Sequence, residues 1–126
     1  MILEAGVSAS EDPEKVLKAM GEVVGDSRRS VTRAPASIRV ESDEQGLVRL
    51  RDQLRDRRVR AAARRLALAR MGRGQFTLML NRQAAYAGVI ALCSTEAESP
   101  LGPIFVTVKA KDTDAVVAWL TDYEGR

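Results

Sequence analysis

The sequence contains no histidine and a single cysteine, Cys93. These shortages exclude an internal disulfide, a zinc site built on Cys and His within one chain, and any triad or general base that depends on imidazole. Aromatic residues make up only 4% of the chain. They are scattered as Phe76, Tyr86, Phe105, Trp119 and Tyr123. A sheet that stacks single-stranded bases needs exposed rings close together, and Phe76 and Phe105 both read as core residues. No apolar run approaches the ~20 residues that span a bilayer, so no membrane partner is expected. The opening residues, MILEAGVSAS, carry an acid and no basic flank, unlike a signal peptide. The expected location is the cytoplasm.

Lysine is scarce too, with four residues against sixteen arginines. Ten of those arginines fall between Leu47 and Gly74, opposed only by Asp52 and Asp56. That stretch holds half of the twenty basic residues, although the net charge of the whole chain is only +3, and such asymmetry points to an anionic partner. At 100° per residue Leu47, Leu50 and Leu54 share one helix face, while Val59, Ala62, Ala63 and Leu66 share another. The apolar stripe changes phase near Asp56 to Arg58, which predicts two helices with a break between them. Opposite the second stripe lie Arg57, Arg60 and Arg64, with Arg65 at the edge. This is a basic stripe of the kind that tracks phosphates.

The 126 residues suit one domain, 1–126, able to bury its own core. Leu3, Ala5 and Val7 alternate within Met1 to Ala9 and predict an opening strand. Asp12-Pro13-Glu14 starts a helix whose buried face is Val16, Leu17, Met20, Val23 and Val24, and Gly25 ends it. Asp26 to Pro35 reads as a polar loop with a smaller basic cluster, Arg28, Arg29 and Arg33. Ala36, Ile38 and Val40 give a strand with one wet face, and Ser42 to Gln45 reads as a capping box with Ser42 as the cap. After Met71 to Gly74 the period turns to two. Strands are expected at Gln75 to Leu80, at Val89 to Cys93 and through Ile104, Val106 and Val108. Asp112 caps a closing helix packed through Val116, Trp119, Leu120 and Tyr123. The order β-α-β-α-α-β-β-β-α predicts an α+β fold, with helices covering one face of a largely antiparallel sheet.

Other groups read as structural. Asn81, Arg82 and Gln83 follow a strand and offer two amides and a guanidinium, groups able to contact RNA or to close the strand connection. Glu96 and Glu98 lack a partner base and read as loop acids. Gly72-Arg73-Gly74 lacks the length and the Lys-Ser/Thr ending of a phosphate loop. Cys93 reads as a small core residue.

Two longer motifs carry a resemblance. Phe76-Thr77-Leu78-Met79-Leu80-Asn81-Arg82-Gln83-Ala84-Ala85 resembles the Phe-x-Leu-Asn-Lys-Gln-Ala-Ala signature of an archaeal uncharacterised protein family, UPF family 0201. Glu98 to Ile104 matches that family's Glu-Ser-Pro-Leu-Gly-Pro-Ile. Glu11 to Val16, the Arg-rich stretch and Val117-x-Trp119-Leu120 fall in family order. Arg82 stands where the signature has Lys, and the end after Leu120 departs from the family pattern. The resemblance implies a ribosomal-protein-like fold, similar to the fifth protein of the large ribosomal subunit, and RNA-binding ancestry.

Together these features predict a non-enzymatic protein without cofactor or metal that binds the phosphates of structured RNA in translation or RNA processing. Its expected contacts are Arg57, Arg60, Arg64, Arg65, Arg73, Asn81, Arg82, Gln83, Arg28, Arg29 and Arg33. The alternative is a protein-interaction module, a homodimer or a subunit of a larger assembly, with Ser99 to Pro103 as the contact surface.

Overall fold

The computed structural model describes residues 1–121. Six strands form one sheet: β1 (Ile2–Gly6), β2 (Arg29–Ala34), β3 (Ser37–Ser42), β4 (Gln75–Leu80), β5 (Leu92–Cys93) and β6 (Ile104–Lys109). The helices are α1 (Pro13–Val24), α2 (Glu44–Asp56), α3 (Arg60–Ala69), α4 (Arg82–Tyr86) and α5 (Thr113–Leu120), with a 3-10 turn at Glu96–Glu98. The strand order is β2-β3-β1-β6-β4-β5, and every neighbouring pair is antiparallel. This is the α+β arrangement that the hydrophobic periods predict.

Alternation decides which face is covered. Leu3 and Ala5, Ile38 and Val40, Phe76, Leu78 and Leu80, and Ile104, Val106 and Val108 all turn to the helix side and are buried. They pack with Val16, Met20 and Val23 of α1, Leu50 and Leu54 of α2, Ala63 and Ala67 of α3, and Val117 and Leu120 of α5 in one apolar cluster. Fully burying a side chain of the Leu or Val class stabilises the fold by ~1.5–3 kcal/mol, so this cluster holds the sheet and its helices together. The two small residues of α3 let that helix sit close against β4.

Several details differ from the sequence reading. Arg29 to Ala34 is a strand, because its backbone pairs along the whole of β3. All six of its residues are exposed, so no buried face marks it. Asn81 caps α4, accepting from Ala84 N–H at 2.9 Å, within a segment expected to be a plain connection. Asp43, rather than Ser42, caps α2 by accepting from Gln45 N–H at 3.0 Å, and Ser42 closes β3. Phe76 is buried, but Phe105 lies on the other sheet face opposite Met79 and is half-buried. Trp119 is 38% exposed, and the buried positions of α5 are Val117 and Leu120. Tyr123 lies outside the described residues.

Candidate nucleic-acid interface

The Arg-rich stretch is two helices separated by a turn of unusual composition. Arg57 follows α2, and Arg58 takes φ 56°. Arg58 N–H donates to Arg55 C=O at 3.1 Å and Val59 N–H to Leu54 C=O at 3.2 Å. These are the two bonds of a Schellman helix end, whose left-handed position is normally Gly or Asn. Arg58 fills it here. At the other end of α3, Gly72 and Gln75 exchange two backbone bonds at 2.9 and 3.1 Å around Arg73 (φ 53°) and Gly74 (φ 74°). Positive φ at both central residues is the mark of a type I′ turn, a place for Asn-Gly or Gly-Gly. Arg73 fills it.

Two strained, exposed arginines therefore bracket α3. A non-glycine residue in this conformation costs ~1–2 kcal/mol, and such strain concentrates where function requires it. Along α3 the buried residues are Ala63 and Ala67, which fixes the outward face. Arg65 points outward and is exposed, whereas Arg60 and Arg64 are half-buried on the flank and engaged within the molecule. Arg57 belongs to the break and not to a continuous stripe on α3. Arg57, Arg58, Arg65, Arg70 and Arg73 are all exposed, and none of them has a carboxylate partner among the described residues. No acid occurs between Arg57 and Gly74.

Two lysines join this surface. Gln75 pairs with Lys109, and Ala110 N–H donates to Gly74 C=O at 2.9 Å, so Lys109 and Lys111 stand beside Arg73. Both are exposed. Nothing local in the sequence marks them; only the β4–β6 pairing places them there.

The smaller cluster on β2 is largely occupied. Arg33 pairs with Glu14 at 2.7 Å, which raises the Arg33 pKa through hydrogen bonding and then charge. Arg29 Nη1 donates to Gly25 C=O. Arg28 remains exposed.

Asn81, Arg82 and Gln83 divide. Asn81 is spent on capping α4 and on a 3.4 Å bond to Glu98 C=O. Arg82, expected among the RNA contacts, is a buried structural residue with 5% exposure. Its Nη1 meets both carboxylate oxygens of Glu11 at 3.0 and 2.8 Å, its Nη2 donates to Pro103 C=O at 3.4 Å, and its backbone N–H donates to Ser99 Oγ at 3.0 Å. Its Nε is buried without an acceptor. A guanidinium held this way is not presented to a partner. Burial pushes the Glu11 carboxyl up, but the Ser8 N–H and the Arg82 guanidinium outweigh it and hold the group below its usual value. Gln83 is exposed.

Around Arg82 the three motif segments, Glu11 to Val16, Asn81 to Ala85 and Glu98 to Ile104, come together. Ser99 Oγ donates to Gly102 C=O at 2.9 Å and Gly102 N–H to Ser99 C=O at 2.9 Å, which closes a turn over Pro100 and Leu101. Leu101 has φ 67° at the type II position that normally demands Gly or Asn. Glu98 accepts from Ser94 N–H at 3.0 Å and so serves the same loop. Cys93 is buried, and desolvation followed by the nearby Glu98 raises its thiol pKa, the opposite of an activated nucleophile. Among the described residues no group of three or more acids and Cys is placed to hold a metal, and no helix is long and apolar enough to cross a membrane.

An antiparallel sheet with a one-sided helix layer defines an α+β protein, and its Arg57 to Gly74 segment carries arginines without an acid. Residues 1–111 match the family model described as RNA binding. The UPF0201 protein of Sulfurisphaera tokodaii is 35% identical over 124 residues, covering 96% of this chain and 86% of that protein. That of Sulfolobus acidocaldarius is 36% identical with the same coverage, 96% and 86%. The crystal structure of the UPF0201 protein from Methanococcus jannaschii has the same fold, with a TM-score of 0.75 at 23% identity over 95% of this chain and 90% of that one. The chain belongs to the UPF0201 family.

Proposed function

We propose that this protein is a non-enzymatic RNA-binding protein of translation or RNA processing, working as one cytoplasmic domain over residues 1–126. It contacts the phosphate backbone of structured RNA through Arg57, Arg58, Arg65, Arg70 and Arg73, with Lys109 and Lys111 beside them and Arg28 and Gln83 as outlying contacts. Arg60 and Arg64 support the flank of the same helix. The observation that carries this reading is the pair of left-handed arginines, Arg58 and Arg73, at the two ends of α3. Glycine would relieve both turns, so a charge at each strained position calls for a role in binding. The planar guanidinium suits phosphate because it donates two parallel bonds. The ribosomal-protein-like fold implied by the family resemblance fits the same reading.

Converting Arg57, Arg65 and Arg73 together to Gln tests it. Each lost phosphate contact takes a little under one unit from the slope of log affinity against log salt, so the triple variant is expected to flatten that slope by about two to three units. The loss is expected to be alike for unrelated RNA sequences of one shape, since phosphate contacts position without specifying. Equal affinity and slope for wild type and variant would move the assignment to a protein-interaction module.

A further inference from the structure

Beside the Glu11–Arg82 pair lies an open cavity of about 470 Å³, inside the ~300–1,000 Å³ range of ligand clefts. Its walls include Ser10, Lys15, Ala19, Gln83, Tyr86 and Leu101. They come from α1 and the turn just before it, from α4 and from the turn at Leu101, where the family motifs lie, and the RNA-contacting surface proposed above uses almost none of them. Leu101 is 60% exposed and held at positive φ. An apolar side chain kept both strained and wet on the rim of a cavity has no structural reason to be there. Tyr86 is 40% exposed, with the Lys18 ammonium 4.6 Å from its ring centroid on one face.

We infer that this cavity receives one unpaired nucleoside of the bound RNA, with its base between the Tyr86 ring and the Leu101 side chain. The inference rests on the RNA-binding reading and gives it a second, base-contacting site. The lining chemistry selects this occupant. Glu11 and Arg82 neutralise one another at the cavity wall, and Asp12 and Lys15 add one charge of each sign, so the wall carries no net charge and suits an uncharged planar group. The Gln83 amide and the Ser10 hydroxyl offer donors and acceptors to a base edge, and Lys15 on the wall offers an ammonium to the adjoining phosphate, while Lys18 is held by Glu22 at 3.5 Å and by the Tyr86 C=O at 3.3 Å. No strand edge lines the cavity, so a peptide would find no backbone ladder to join. RNA proteins read sequence mainly from bases splayed out of the helix and stacked on side chains of this type.

The topology allows one RNA to reach both sites. The short turn after α3 reverses the chain, so the start of α3 and the end of β4 point toward the same end of the sheet. Arg57 and Arg58 lie at that start, and Asn81 and Arg82 follow that end.

The test compares two RNA hairpins of equal length and charge, one fully paired and one with a single bulged 2-aminopurine nucleoside. Wild type is expected to bind the bulged hairpin more tightly and to change the 2-aminopurine fluorescence. Tyr86→Ala is expected to lose about ten-fold or more on the bulged hairpin, as removing a stacking ring does, with an unchanged salt slope and no change on the paired one. Tyr86→Phe keeps the ring and is expected to bind as wild type. Thermal unfolding of both variants separates a lost contact from a lost fold, and Leu101→Ala, which keeps the backbone strain, gives the same reading independently. Equal binding of both hairpins by wild type, Tyr86→Ala and Leu101→Ala overturns the nucleoside site and leaves the arginine surface intact. Failure of wild type to bind either hairpin overturns the RNA reading itself, and the site with it.

Discussion

Glu11 and Arg82, 71 residues apart, are joined by one guanidinium nitrogen that meets both carboxylate oxygens, at 3.0 and 2.8 Å. Their side chains are 8% and 6% exposed. The pair ties the start of α1 to the start of α4 and, through Pro103 and Ser99, to the turn before β6. Removing one partner of such a pair leaves the other charge buried alone. Arg82→Met is therefore expected to destabilise by ~3–5 kcal/mol, measured by urea unfolding. Arg82→Lys keeps the charge and the backbone bond to Ser99, and is expected to cost well under half as much. Equal losses for the two variants would mean that shape, not charge, holds this junction.

The same pair sets a pH dependence. Glu11 has its carboxyl pKa lowered in the folded state from an ordinary value of 4.5. A lowered acid pKa contributes stability that is fully present above the unfolded value and fades as pH falls through the folded one. Unfolding midpoints are thus expected to be flat in this respect from pH 7 down to about 5 and to fall below that. Glu11→Gln is expected to start less stable and to show a shallower loss between pH 5 and 3 than wild type. Parallel curves would count against the ion pair as the source.

How much of this was legible follows the range over which each feature is specified. The break between α2 and α3 shows in the sequence because Leu50 and Leu54 on one side and Ala63 on the other keep separate apolar phases. Strand β2 does not show, since an edge strand exposed on both faces has no alternation to read; its pairing with β3 is the whole signal. Phe105 was misread as a core residue although the local pattern places it, because Ile104 and Val106 flank it and side chains alternate. Its ring must point away from theirs. The roles of Arg82 and Lys109 were not legible. Both depend on partners far along the chain, Glu11 for one and the β4 pairing for the other, and no local spacing encodes such contacts. Of the bracketing residues Arg73 was among the expected contacts and Arg58 was not, since the left-handed strain that singles both out appears only with the turn geometry.

Gly46 reverses a usual rule. A helical glycine replaced by alanine ordinarily gains ~1 kcal/mol. At Gly46 an added Cβ would lie 2.4 Å from Ser42 Oγ and 2.9 Å from Ser42 Cβ, and Ser42 is held in β3, bonded through its backbone N–H to Met1 C=O at 2.9 Å. Overpacking of this kind costs ~1–3 kcal/mol. Gly46→Ala is expected to lower the melting temperature, and Ser42→Gly in the same chain to recover part of the loss. A rise in melting temperature for the single variant would show that α2 can shift away from β3.

Arg58 and Arg73 give the most discriminating experiment, because stability and binding are expected to move in opposite directions. Both sit at positive φ in turns that favour glycine. Arg58→Gly and Arg73→Gly each relieve ~1–2 kcal/mol of left-handed strain, and the greater freedom of glycine in the unfolded chain returns ~0.5–1 kcal/mol. The net expectation is a gain of roughly 0.5–1 kcal/mol per site, near 1–2 kcal/mol for the double variant, since the two turns lie at opposite ends of α3 and are expected to add. Neither side chain has a partner whose loss would offset this gain among the described residues. If the side chains are kept for phosphate, the double variant should flatten the salt dependence of RNA affinity by about one to two units while it melts higher. Chemical denaturation and RNA titration at several salt concentrations read the two effects separately. A variant that is more stable and binds RNA with the wild-type slope would detach these two arginines from RNA, and would leave their strained positions without a function.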